Sequence, residues 1–181
     1  MSKIILIGIP HSGKSTLGRM LAAALKIPFY DTDTLAMDKV NAERPTDLFR
    51  LALSGLFRKA QHEVMVDLYK INGPAVISTG AEAALAPECA ELIKKLGIVI
   101  YLQRKPEIVI ADLKRTAKYG FVRIEKDGTE ISMHEEGIGL YAKELSKYEA
   151  LADYSIENNG SEEEGLEKLL GLVNWLGKLI D

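Results

Sequence analysis

The stretch KIILIGIPHSGKST, residues 3–16, decides the fold. Its first half, KIILIG, is a short apolar run closed by Gly8, the pattern of a parallel strand buried on both faces. Its second half places Gly8, Gly13, Lys14 and Ser15 at the fixed positions of G-x-x-x-x-G-K-[ST], with Ile9, Pro10, His11 and Ser12 between the glycines. From Lys14 onward, Leu17, Met20, Leu21, Ala24 and Leu25 recur at helical spacing. A strand, this loop and a helix in succession are the context that gives the motif its meaning as a phosphate-binding loop.

In such a loop the backbone N–H groups turn inward around phosphate oxygens, and the helix N-terminus adds positive potential. Gly8, His11, Ser12, Gly13, Lys14, Ser15 and Thr16 are therefore the expected contacts of a nucleoside triphosphate. Lys14 is expected at the β- and γ-phosphates, and the Ser15 hydroxyl at Mg²⁺. His11 stands where kinase-type loops commonly carry glycine. Its side chain is expected to face solvent; the sharper reading is a phosphate contact or an altered loop shape.

The rest of the chain alternates strands and helices. IPFYD is a second strand ending at Asp31, PAVIST (74–79) a third, GIVIYL (97–102) a fourth and ADYSIE (152–157) a fifth. Between them, 34–72 reads as mostly helical with a break at Arg44-Pro45, and helices are expected over 87–96 and from Pro106 to about Lys118. Ser161 and Glu164 form a capping box before a last helix whose apolar face is Leu166, Leu169, Leu170, Val173 and Leu176. Residues 119–137 are polar with three glycines, the character of a lid or an insert. The pattern predicts α/β architecture: a three-layer α/β/α sandwich on a parallel five-stranded sheet, one P-loop domain spanning 1–181. Ligands are expected at the carboxyl ends of the strands, where Gly8, Asp31, Asp33, Thr79 and Gly80 all fall.

Composition excludes several classes. A net charge of −3 provides no broad basic field for nucleic acid. No run reaches the ~18–20 apolar residues of a membrane span, and no secretory signal is visible. The single cysteine, Cys89, rules out an internal disulfide and fits a reducing compartment; in PECAELIKKL it reads as a small buried apolar residue. His62 and His134 have no second ligand at metal spacing. A cytoplasmic monomer acting on a small molecule is the expectation. The absence of N-K-x-D argues against a GTPase.

Asp31-Thr32-Asp33 follows the second strand directly. One carboxylate can serve Mg²⁺, a role left open because Ser78-Thr79-Gly80 lacks an acid, and the other can accept a substrate hydroxyl's proton. An ordinary helix cap before LAMDKV is compatible with both roles.

The phosphate loop, DTD, Phe57-Arg58, Ser78-Thr79-Gly80, IVIYL, and Tyr148 with Ala152-Asp153 occur in the order found in shikimate kinases, which the chain resembles over roughly residues 3–157. The resemblance implies ATP-dependent phosphorylation of an alcohol, with shikimate the leading acceptor. It places Mg²⁺ on Ser15 and Asp31, makes Asp33 the base, and puts the acceptor's carboxylate at Arg58, for which a surface ion pair is the other reading. Gly80, Ala81, Glu82 and Glu144 fall at further acceptor positions. Arg123 is the first candidate for a lid arginine and Arg115 the second; Arg115 also lies near the position of the family's contact to the nucleotide base.

The departures concern charge. Gly80-Ala81-Glu82 replaces a run of three glycines, Glu144 stands where the family has an arginine, Val122-Arg123-Ile124 lacks the lid proline, and the adenine-stacking arginine aligns with Asp112. If Glu82 and Glu144 both face the site, the acceptor is a neutral or cationic alcohol. If they turn away and Lys143 or Lys147 substitutes, shikimate fits. A nucleotide-binding regulatory protein without acceptor chemistry is the remaining reading, which Lys14, Ser15, Asp31 and Asp33 argue against.

Overall fold

Alternate residues of the first strand face opposite ways, and two separate cores begin there. The computed structural model describes residues 2–41, 55–115, 122–124 and 130–180, with side chains described except at 122–124, 130–136 and 179–180. Strand β1 (Lys3–Ile7) sends Ile4 and Leu6 to one face and Ile5 and Ile7 to the other. The same alternation splits Val76 from Ile77 in β3 (Val76–Ser78), and Ile100 and Leu102 from Val99 and Tyr101 in β4 (Gly97–Gln103). Burial on both faces explains why these strands are apolar throughout rather than alternating.

β2 (Phe29–Asp31) and β7 (Tyr154–Glu157) complete a sheet of order β2-β3-β1-β4-β7, parallel at every pairing. The sheet therefore has the five parallel strands expected. On one face lie α1 (Lys14–Leu25) and the long α9 (Glu162–Ile180), which contribute Leu17, Leu21, Leu169 and Val173. On the other lie α3 (Leu56–Lys70), α5 (Pro87–Leu96), α6 (Pro106–Arg115) and α8 (Leu145–Leu151), with Val64, Met65, Ile93, Val109 and Tyr148. The chain turns from one side of β1 to the other between β3 and β4, so the crevice opens beside the end of β1, at the phosphate loop.

Several elements differ from the sequence reading. The helical region after β2 comprises α2 (Thr32–Lys39) and α3; residues 42–54, with the expected break at Arg44-Pro45, lie outside the described residues. Within the expected lid, β5 (Val122–Ile124) pairs antiparallel with β6 (Glu130–Ser132), and α7 (Met133–Ala142) follows. Strand pairs this short depend on each other, and three-residue runs carry little periodicity to read. α4 (Ala81–Leu85) and α8 are likewise too short for a legible apolar stripe. The Ser161 cap is present, its Oγ accepting from Glu164 N at 3.3 Å. Cys89 is fully buried as expected, and burial pushes its thiol up to about 11. No helix among the described residues is long and apolar enough to cross a membrane.

Tyr148 ties the layers together. Its ring stacks on Tyr101 of β4 with centroids 5.5 Å apart, and its hydroxyl donates to the Ala81 carbonyl at 3.1 Å, at the start of α4. Tyr148→Phe leaves that buried carbonyl without its donor, a loss of about 1–3 kcal/mol. For a chain of this size the melting temperature should fall by roughly 2–10 °C in calorimetry. An unchanged melting temperature would mean that the hydroxyl does not hold α4.

Candidate active site

The phosphate loop closes on itself through Lys14. The Nζ donates to the carbonyls of Gly8 at 3.0 Å and Ile9 at 2.8 Å, and the side chain is buried. Burial holds the ammonium down to about 8, against the opposing pull of the Asp33 and Asp31 carboxylates. Gly13, at φ +94°, caps α1; a Cβ there would stand 2.7 Å from Asn158 Nδ2. That amide donates to the Ser12 carbonyl at 2.8 Å, so the loop after β7 clamps the phosphate loop from behind. The Ser12 side chain turns inward and is buried. Its hydroxyl has no hydrogen-bond partner among the described residues, and a Cβ on Gly8 would stand 2.8 Å from it. Thr16 and His11 are exposed. His11 adopts φ +59°, the left-handed conformation that glycine takes freely and that histidine enters more readily than most residues.

Asp31 joins this loop to the first turn of α2. Its Oδ2 accepts from Ser15 Oγ at 2.6 Å, and its Oδ1 accepts from the backbone N–H groups of Asp33 (3.1 Å) and Thr34 (3.2 Å). It is at once the N-cap of α2 and the partner of the loop serine, so capping and site chemistry coincide. Ser78 Oγ lies 3.3 Å from Ser15 Oγ. The pair offers hard oxygen donors to a divalent cation. Mg²⁺ commonly uses one or two carboxylates and completes its shell with phosphates and water, so the set fits. No cluster of three or more His, Cys, Asp or Glu suited to a metal occurs among the described residues.

Asp33 lies in a cleft of about 310 Å³ together with Lys14, Ser15, Phe57, Gln61, Glu82 and Tyr141. Burial raises its pKa; the Gln61 amide opposes that by donating to Oδ1 at 3.2 Å, and Asp31 and Glu82 add to the rise. Gly80 makes the seat possible. A Cβ on it would stand 2.1 Å from Asp33 Oδ1 and 2.9 Å from Gln61 Nε2. Its N–H donates to Thr32 Oγ1 at 2.8 Å. Tyr141 faces the same carboxylates, and burial with the charges of Glu82 and Asp33 pushes its phenol upward.

Other expected residues are placed differently. Arg58 does not line the cleft: its Nε donates to Glu88 Oε1 at 2.8 Å in an exposed ion pair, because Glu88 opens α5 directly opposite. Glu144 caps α8 and pairs with Lys147 at 2.5 Å, also away from the cleft lining, whereas Glu82 lines it. Ala81 contributes the carbonyl held by Tyr148. Arg115 is exposed and pairs with Asp112 at 3.3 Å beside a separate cleft. Arg123 is on β5 in register with Ile131, and its side chain lies outside the described residues.

Sequence reading missed Gln61 and Asn158. Gln61 is four residues from Phe57 and so shares its helix face, a signal that was available. Asn158 follows the last strand at its carboxyl end, the side where ligands gather.

Comparison with known proteins shows the family. The family model for shikimate kinase matches residues 10–174. The shikimate kinase of Enterococcus faecalis is 33% identical over 172 residues, 94% of this chain and 97% of that protein. That of Francisella tularensis subsp. novicida is 30% identical over 158 residues, 87% of this chain and 86% of that protein. A shikimate kinase structure from Acinetobacter baumannii, solved in complex with shikimate, superimposes with a TM-score of 0.78 at 27% identity, covering 96% of this chain and 93% of that one.

Two ionisation predictions follow from the burial of Lys14 and Asp33. Gln61→Leu removes the donor that favours the Asp33 carboxylate, so the Asp33 carboxyl should titrate at higher pH than in the parent, read by NMR. A titration that stays put would mean that Gln61 does not reach the charged form. Lys14, held near 8, should take up a proton when phosphate oxygens replace its carbonyl partners. ATP binding measured calorimetrically around pH 8–9 in buffers of different ionisation enthalpy should show proton uptake, fading toward pH 6. Uptake that is absent at pH 8–9 would mean that Lys14 keeps its free-state environment.

Proposed function

The chain belongs to the shikimate kinase family of phosphotransferases, and on that premise we propose that it transfers the γ-phosphoryl group of ATP to a hydroxyl of shikimate. The observation that carries the reading is the convergence of Lys14 and Asp33 in one cleft, with Ser15 bonded to Asp31 at its edge.

In this reading Lys14 leaves the Gly8 and Ile9 carbonyls for the phosphate oxygens. Asp33 accepts a hydrogen bond from the acceptor hydroxyl and takes its proton as that oxygen forms a bond to the γ-phosphorus. The bond from the γ-phosphorus to the bridging oxygen breaks, and ADP leaves with the electron pair. A raised pKa brings Asp33 closer to working pH and makes it a better base than an exposed carboxylate. Ser15 and Asp31 would hold Mg²⁺, which neutralises charge on the phosphates when bound. Arg123, from the β5–β6 hairpin, is the arginine we assign to lid closure.

For an anionic acceptor, Arg58 must exchange Glu88 for the acceptor carboxylate. An exposed pair of this kind is worth little against water, so the exchange is inexpensive. Glu82 favours a second reading, in which the acceptor is a neutral or cationic alcohol, because its carboxylate lines the cleft and would repel an anion.

ADP release from Mg²⁺-ATP, measured with and without shikimate, separates the two. Strong stimulation is expected, and its absence alongside demonstrated ATP binding would transfer the case to neutral and cationic alcohols. Asp33→Asn should keep ATP affinity while shikimate-dependent turnover falls by about 10²–10⁴. Unchanged turnover in that variant would remove Asp33 from the mechanism.

A further inference from the structure

Behind the phosphate loop, the Asn158 amide fills a slot walled by two glycines. A Cβ on Gly13 would stand 2.7 Å from its Nδ2, and a Cβ on Gly165 of α9 would stand 2.5 Å from its Oδ1. The residue is 4% exposed, and its backbone N–H donates at 2.7 Å to the carbonyl of Gln103, the last residue of β4. With both ends of the amide enclosed, its partner sets its orientation. Nδ2 donates to the Ser12 carbonyl at 2.8 Å, and only the NH2 end of an amide can do so.

The direction of this bond has a consequence on the other side of the peptide. In a trans peptide the C=O and the following N–H point opposite ways. With the Ser12 carbonyl drawn back to Asn158, the Gly13 N–H faces the hollow of the loop. Gly13 does not hold this plane by itself. At φ +94° it uses a glycine's freedom, and rotation of the Ser12–Gly13 peptide would exchange the N–H for the carbonyl. The negative end of the peptide dipole would then stand where phosphate binds.

We propose that Asn158 is a positioning residue for the phosphoryl donor: by holding the Ser12 carbonyl back, its amide fixes the Ser12–Gly13 peptide plane and presents the Gly13 N–H to a phosphate oxygen. The clamp is no part of the loop's own motif, since it reaches Ser12 from 146 residues along the chain. It acts on the phosphates and is indifferent to the nucleoside. The inference rests on the reading of the chain as an ATP-dependent kinase and adds what keeps the loop in its binding shape.

Inorganic tripolyphosphate offers the phosphates without the nucleoside. Calorimetry with it and with ATP is carried out on the parent protein, Asn158→Asp and Asn158→Ala. Aspartate has the shape of asparagine but nothing to donate, and its carboxylate accepts from an N–H, so it draws the peptide over to the wrong face. Alanine leaves the plane unheld. Asn158→Asp should weaken both ligands by about 10- to 100-fold, the range lost with a hydrogen bond to a charged group, and Asn158→Ala by less. A packing role predicts the reverse order, because aspartate fills the slot and alanine does not. The Gly13 amide proton, followed by NMR, should move downfield when tripolyphosphate saturates the parent and should stay in place in Asn158→Asp. That signal in the parent needs no variant to fold. Unchanged affinities, a greater loss in Asn158→Ala than in Asn158→Asp, or a loss confined to ATP overturns the proposal. So does a Gly13 amide that stays in place in the parent, or one that moves equally in Asn158→Asp, where added charge alone would then explain the weaker binding. A parent that binds tripolyphosphate but not ATP would sink the kinase reading and leave the Gly13 signal to decide this inference. ATP binding without shikimate turnover would count against the acceptor alone.

Discussion

A single carboxylate holds the site in register. Asp31 receives the Ser15 hydroxyl on one oxygen and two backbone N–H groups of α2 on the other, so the start of α1, the end of β2 and the first turn of α2 cannot move independently. Asp33 is two residues along from that anchor, in the first turn of α2, where the helix N-terminus favours a negative charge. The distance between the phosphate loop and Asp33 is thus set by one capping interaction. Gly80 then decides how deep Asp33 sits, because only a residue without a Cβ leaves room for its carboxylate and for Gln61.

The same enclosure sets the electrostatics. Burial pushes Lys14 and Asp33 in opposite directions on the pH scale, each toward its neutral form, and each is partly restored by the other's charge. Both groups have more to gain from a charged or hydrogen-bonding ligand than they would at the surface, where water already serves them. The peripheral charges are disposed differently. Arg58 with Glu88 and Lys147 with Glu144 neutralise one another outside the cleft, and Glu82 keeps a negative charge at its wall. The cleft thus carries one lining carboxylate, while the nearby arginine is held by a partner outside it.

Two clefts meet at His11. On one side lie Asp33 and the Gln61 amide that donates to it; on the other lie an apolar wall and the Arg104–Asp112 pair. Asn158 clamps the loop between them by bonding to Ser12, so the segment after the last strand contributes to a site whose motif is at the opposite end of the chain.

The phosphate loop, the five parallel strands and the Asp31 cap could be read from the sequence, because each rests on local signals: glycine spacing, apolar runs, a capping residue before a helix. The short pieces could not. β5, β6, α4 and α8 are too brief to carry a period, and β5 and β6 exist through each other. Side-chain destinations were also beyond the sequence. Arg58 reads as a ligand from its neighbours in the chain, yet α5 brings Glu88 against it from thirty residues away. Arg104 shows no motif at all, and only the packing of the β4–α6 turn against the phosphate loop gives it a place at the cleft beside that loop. Local chemistry along the chain determined which elements form and where phosphate binds. Which charges meet one another, and which are left to face a ligand, was decided by the tertiary contacts, because a long charged side chain pairs with whatever partner the fold carries within reach.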